Sequence, residues 1–500
     1  MAETDPLFDL VKTLTTSEKK NLMRLARLQT GRKDYIRLLE KLDRMASFDE
    51  NELKRMHLRN LSYTKNYLFQ FILKALDHYD EASEEDIHFG IRNVGRLYER
   101  QMYDAALRLT DKLEEIAGSN EMFDEWLSVL ELKLEILKGT HRAKGLSDQL
   151  ELINKQLLEI EIKHRNLFDL KLLYYEFFLI SRTKYIARGE IDVKMIGKLR
   201  DHPLMSTENN ALSQRARLHF HKNAYVANLY LGNFDAARKS AENMVLIFDE
   251  SPFLKKTSPT EYINLLSILA ALHIQERNFP VAWDLLAKLS EFPQESVHTR
   301  VEHFDKYFTI LIGYATDTGN LKVLAGSIPQ IEAGLEKYKF MLPEARQILF
   351  HWILAKYFFV IRDYENAAKW AKSLLYFTKT DSRTDIQCVG RILNLIIVYE
   401  RGDWELLEHY IKSTRRFLSV RKAMFRFEER FLKLMTVLTE NPSAKSMIPV
   451  FRDFQNDLNA IFDDHFEKQI LFYLDINAWI SSKINSTTFL QETAKLNPAT

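Results

Sequence analysis

Apolar residues recur three and four positions apart along most of this chain, the spacing that lines one face of an α-helix. Over residues 261–275, Ile263, Leu266, Ala270 and Ile274 form one such stripe. Ahead of it, Ser258-Pro259-Thr260-Glu261 reads as a capping box with proline at the first helical position. A partner helix is expected from Phe279, through Trp283, Leu286 and Leu289, to Phe292. In the first 80 residues the same spacing predicts helices over 7–14, 18–28, 34–45, 50–58 and 63–79. Thr15 with Glu18 and Asp49 with Glu52 read as capping boxes, and Ser62 as the cap of the fifth helix.

The pattern repeats. Six places carry a Gly or polar residue, usually an Asn or Asp, an aromatic or large apolar anchor, and a small or apolar residue three positions on. They are Tyr103 with Ala106, Phe234 with Ala237, Phe279 with Ala282, Leu321 with Leu324, Tyr364 with Ala367 and Trp404 with Leu407. Gly or Asn suits the left-handed end of one helix, and Asn or Asp suits the cap of the next. The anchor locks the turn, and a small residue one turn later lets two helices approach. The last five anchors lie 45, 42, 43 and 40 residues apart. Weaker turns at 141–145 and 188–191 bridge the gap from Tyr103 to Phe234, and one more is expected near Pro449. The fold expected is all-α: a right-handed α-solenoid of roughly eight or nine hairpins with a period of about 40–45 residues.

These turns resemble those of the tetratricopeptide-repeat (TPR) superfamily. Phe234 with Ala237, and Tyr364 with Ala367, match its aromatic and small positions, and Gly232, Gly319 and Gly402 its turn glycine. The likeness covers roughly residues 85–440, with a period longer than the family's 34 and no closing proline in any unit. It implies a TPR-like array. The opening LFDLVKTLTTSEKKNLMRLA is similar to the start of a group of uncharacterised bacterial helical-repeat proteins, a likeness that implies no activity. Three regions are expected: basic N-terminal helices over 1–80, a TPR-like array over 81–485, and a polar tail over 486–500. The acidic stretch at 80–86 marks the first boundary.

Composition strengthens the helical reading. Only 15 glycines and 11 prolines occur in 500 residues, where ordinary chains carry about 7% and 5%. That leaves little room for sandwiches, barrels or Gly-rich phosphate loops. Net charge is +1, yet residues 12–74 hold 15 Lys/Arg against 7 Asp/Glu. A single cysteine, Cys388, excludes an intrachain disulfide and a Cys-based zinc cluster. No apolar run approaches the ~20 residues of a membrane span, and MAETDPLFDLVKTL has acids where a secretory signal needs bases. The expected location is cytoplasmic, with no membrane association.

Catalytic chemistry has little to stand on. Residues 139–145 have the wrong spacing for a phosphate loop. His219 and His221 point to different faces of one helix, and Asp463-Asp464-His465 reads as a surface cluster. Cys388 reads as a buried hydrophobe. The bases and aromatics of 413–433 read as a core stripe (Phe427, Phe431, Met435) with a solvated opposite face. No catalytic residue, cofactor or metal site is expected.

The expected function is therefore a non-catalytic scaffold or adaptor that binds a protein or peptide in a concave groove lined by the first helices of the repeats. Periodicity places Tyr225, Asn228, Asn264, Tyr314, Lys356 and Asn394 as exposed groove residues. The alternative is a nucleic-acid-binding regulator using residues 12–74, with the repeats as sensor. Helices 50–58 and 63–79 then form a helix-turn-helix whose polar stripe is Tyr63, Asn66, Gln70 and Lys74. The same helices also suit a plain cap on the array.

Overall fold

The computed structural model describes residues 5–28, 34–58, 60–80, 87–140, 145–183, 196–231, 233–324, 326–377, 382–421, 423–440, 444–464 and 467–495. Among them every regular element is a helix and no strand occurs. The chain divides into two compact units, Met1–Leu269 and Ala270–Thr500. The expected boundary and turns at 81–86, 141–144 and 188–191, together with Gly232, lie outside the described residues.

The turn motif forms as its chemistry dictates. Tyr103, Phe234, Phe279, Tyr364 and Trp404 are each the first residue of an α-helix, and Leu321 opens a 3-10 helix, Leu321–Leu324. A left-handed residue stands two positions before five of them: Gly319 at φ 71°, and Gln101, Arg277, Arg362 and Gly402 at φ 60–70°. At the last four of these the next N–H then reaches back five residues to close the preceding helix. Met102 donates to the Leu97 carbonyl at 3.0 Å, Asn278 to His273 at 2.8 Å and Asp363 to Phe358 at 2.9 Å. This is a Schellman closure. Asp363 and Asp403 then cap the following helices, accepting from Asn366 and Leu406 N–H. Three anchors pack on the aromatic ring five residues earlier: Tyr103 on Tyr98, Tyr364 on Phe359 and Trp404 on Tyr399, at 5.7–6.1 Å. Ala106, Ala237, Ala282 and Ala367 are fully buried where neighbouring helices meet.

Gly402 isolates the backbone cost of this turn. A Cβ there meets nothing within 4 Å, so only its φ of +70° opposes a side chain. Gly402→Ala is expected to cost about 1 kcal/mol, read as a lowered denaturation midpoint at unchanged slope.

The first unit opens with a small bundle. Helices Pro6–Thr13, Thr16–Leu28, Asp34–Arg44 and Leu61–Asp80 enclose their own core around Val11, Leu22, Leu38 and Leu68. Thr15 and Glu18 exchange both capping hydrogen bonds, at 2.6 and 3.2 Å. The fifth helix starts earlier than expected. Asn60, not Ser62, accepts from the Tyr63 N–H, and Ser62 lies inside the helix. The helix expected over 50–58 is only Glu50–Lys54.

Two further differences lie in this unit. Glu121, at φ 48°, makes another closure of the same kind, so that a helix opens at Phe123. Its small residue sits on the preceding helix instead, where Gly118 lies against Trp126. A period near 43 implied two helices beyond residue 145. One 38-residue helix, Leu146–Thr183, runs there because no Gly or Pro interrupts it.

In the second unit helices pack mostly on their neighbours in sequence from Phe279–Ser290 to Phe489–Lys495, with Val297–Thr318 packing directly on Glu344–Val360. Thr384–Arg401 is buried all round, from Ile386 to Val398 without a break. Pro449 marks no turn and lies inside the helix Ala444–Ile461. Residues 486–495 are not a loose tail. Thr488 and Gln491 cap the helix Phe489–Lys495 reciprocally, Phe489 packs on Phe359 at 5.4 Å, and Glu492 is buried. Two apolar anchors in a polar stretch suffice to dock it.

Candidate functional site

The helix Gln214–Tyr230 is held firmly at its start. Ser213 accepts from the Ala216 N–H, and the Glu121 carboxylate takes the Gln214 and Arg215 N–H groups at 2.8 Å each. The Arg215 guanidinium donates to the Asn120 carbonyl and to Thr257. Farther along, buried Asn223 donates to the Leu170 carbonyl at 2.9 Å, tying this helix to Leu146–Thr183. Ordinary loops are not fixed in this way; these walls are preorganised.

Between this helix and Pro259–Gln275 lies a cleft of about 390 Å³, within the usual ligand-site range of ~300–1,000 Å³. Leu218, Met244, Phe248 and Leu265 supply apolar surface, and Tyr225, Thr260 and Asn264 supply polar groups. At one side Lys222 donates to Glu261 at 2.7 Å, and its ammonium lies 4.3 Å from the centre of the Tyr174 ring. Glu261, expected as a capping-box member, is engaged across the cleft instead. Desolvation pushes neighbouring His219 down to about 4, against a weaker upward pull from Glu261. It is therefore neutral at pH 7.

The six expected groove residues divide. Tyr225 and Asn264 line this one cleft. Asn228 spends its amide N–H on the Ala224 carbonyl of its own helix. In the second unit Tyr314 packs on Phe279 and Trp283, and Lys356 pairs with Asp317 at 3.6 Å. Asn394 is 2% exposed and is corrected from an exposed groove position to a core residue. Periodicity finds one face of a helix; it does not reveal that Thr384–Arg401 is covered on every face.

Part of that cover is the chain's own C-terminal segment. Tyr473 donates to Asp385 at 2.6 Å, and Trp479 and Lys483 both donate to Glu400, at 2.7 and 2.6 Å. Leu490 lies against Gly319. Local pattern gave no sign of this, because the contacts join residues 79–88 apart.

Tyr63, Asn66, Gln70 and Lys74 are all exposed along Leu61–Asp80. The positive excess around them is partly taken up within the bundle. Lys19 pairs with Asp43, Lys41 with Glu52, and Lys65 with Asp5. The aromatic-basic segment is a core stripe, with Phe427, Phe431 and Met435 buried and Arg430 paired with Asp453 and Asp457.

Burial pushes the Cys388 thiol up to about 12, a poor nucleophile. Gly139 closes a helix, with Tyr103 against it, in place of a phosphate loop. His221 faces Glu208 at 3.3 Å, and His465 lies outside the described residues. Among the described residues no group of three His, Cys, Asp or Glu side chains is placed to hold a metal ion, and no helix is long and apolar enough to cross a membrane. No protein-family model, curated protein or solved structure matches the chain.

Proposed function

We propose that this protein is a non-catalytic, cytoplasmic scaffold or adaptor, built as a TPR-like right-handed solenoid with a period of about 40–45 residues. Its ligand is a protein segment or peptide held in the cleft between Gln214–Tyr230 and Pro259–Gln275. One observation carries the reading: Tyr225 and Asn264, on two different hairpins, converge on one preorganised cleft with an apolar floor. A large apolar side chain fits the floor formed by Leu218, Phe248 and Leu265. The Asn264 amide and the Tyr225 hydroxyl then suit the peptide groups beside it. A site of this composition holds a side chain and its backbone; it has no activated nucleophile or base.

The test uses peptides selected from a random display library on the immobilised full-length chain. Titration calorimetry should find that Tyr225→Ala and Asn264→Ala each weaken binding about tenfold, the effect of losing ~1.4 kcal/mol. Wild-type affinity in both variants rejects the cleft as the site.

A nucleic-acid regulator is the second reading, favoured by the exposed stripe Tyr63, Asn66, Gln70 and Lys74. It requires duplex or single-stranded oligonucleotide binding that falls steeply with salt and is weakened by Lys74→Glu. Salt-insensitive or absent binding in fluorescence anisotropy removes it.

A further inference from the structure

The helix Leu146–Thr183 is apolar on two faces. One face is used inside the first unit, where Ile153, Ile160 and Leu167 are buried. The other faces solvent. From Glu151 to Tyr175, every position reached by alternating steps of three and four residues is exposed. Its apolar members, Leu158, Phe168, Leu172 and Tyr175, are 43–60% exposed, and Ile162 flanks them at 60%. Single exposed apolar residues are ordinary, whereas exposed apolar residues recurring along one face, here on either side of Glu161 and Arg165, mark an interaction surface. The 3.5-residue spacing is that of a two-stranded coiled-coil seam.

The charges on this seam select the partner. In a parallel pair of identical helices each residue meets its own copy, so Glu161 would face Glu161 and Arg165 would face Arg165. An antiparallel pair with its two-fold axis level with Lys163 reverses this. Glu161 then faces Arg165, twice. Leu158 faces Phe168, Asn154 faces Leu172, and the Glu151 carboxylate faces the Tyr175 hydroxyl. We infer that this face pairs, antiparallel, with the same face of a second copy of the chain. The symmetry is isologous and therefore closed at two. The seam is roughly 37 Å long at 1.5 Å per residue. With flanking side chains it covers on the order of 800 Å² per copy, the size of a standard interface. Arg165 now bonds to Asp169 on its own helix at 3.1 Å. An exposed pair of that kind is worth only ~0.5 kcal/mol and yields readily to a cross-helix partner.

The experiment is sedimentation velocity on the full-length chain. At about 10 µM the wild type should sediment at twice the 58.9 kDa chain mass. E161R and R165E each place like charges opposite one another and should weaken the dimer at least tenfold, with helical content unchanged by circular dichroism. Mixed in equal amounts, the two variants should recover the wild-type mass, because every facing pair is then of opposite sign. L158E should weaken the dimer irrespective of mixing. A wild type that stays monomeric at about 50 µM overturns the inference. So does a dimer unaffected by E161R and R165E, or a mixture of the two that remains monomeric. A monomeric chain that captures a different protein through this face counts equally against self-pairing.

Discussion

Trp479→Ala should lower the stability of the second unit by about 4 kcal/mol, within the ~3–5 kcal/mol range for removing a buried Trp. Trp479 is 1% exposed and packs on Tyr399, Phe431 and Phe451. Its indole N–H also donates to Glu400. Truncation leaves a cavity among three rings and removes one of the donors to a carboxylate shared with Lys483. Both losses fall where the helix Ile476–Asn485 covers Thr384–Arg401. Urea denaturation should show a lower midpoint, with Trp479→Phe recovering most of the loss because the ring contacts return. A loss below about 1 kcal/mol contradicts the claim that this segment completes the core.

Glu428→Gln should do the opposite, and only at high pH. Desolvation lifts this carboxyl from 4.5 to about 7, with Glu467 adding to the rise and the Glu428 and Phe425 N–H groups opposing it. The folded state therefore binds the proton more tightly than the unfolded chain. Below pH 4.5 both states are protonated and the group contributes no difference. Between 4.5 and 7 stability falls as pH rises, and above 7 the folded protein carries the full cost of a buried charge. A shift of this size corresponds to roughly 3 kcal/mol at pH 8. Glutamine keeps an acceptor for the Phe425 N–H without the charge. The variant should match wild type near pH 4 and exceed it by up to roughly 3 kcal/mol near pH 8. His219 and His351 slope the other way, since burial pushes both down to about 4. Their contribution is lost as pH falls from 6.5 through 4, and it cancels between the two proteins compared. A pH-independent difference removes the assignment.

The local parts of this fold are legible in the sequence because their causes are local. A left-handed residue, a cap and an aromatic anchor lie within three positions, so all six anchors mark helix starts. The left-handed residues themselves are less legible. Gln101, Arg277 and Arg362 fill a place that glycine favours, and the closing hydrogen bonds offset the cost. The turn before Phe123 lacks the motif, because Trp126 stands at the small position. Local periodicity does not carry burial that comes from segments distant in sequence. Asn394 lies on a stripe that reads as half-exposed until Thr384–Arg401 is surrounded. The cleft lies between these extremes. Tyr225 and Asn264 were reachable by periodicity, but Tyr174, Lys222 and Glu261 beside them were not, because three separate helices bring them together.

Hydrogen–deuterium exchange of the full-length chain, with and without a display-selected peptide, tests the central claim most directly. Slowed exchange over 214–230 and 259–268, absent in Tyr225→Ala, is the predicted result. Protection confined to 61–80, or no protection in either helix of the cleft, contradicts it.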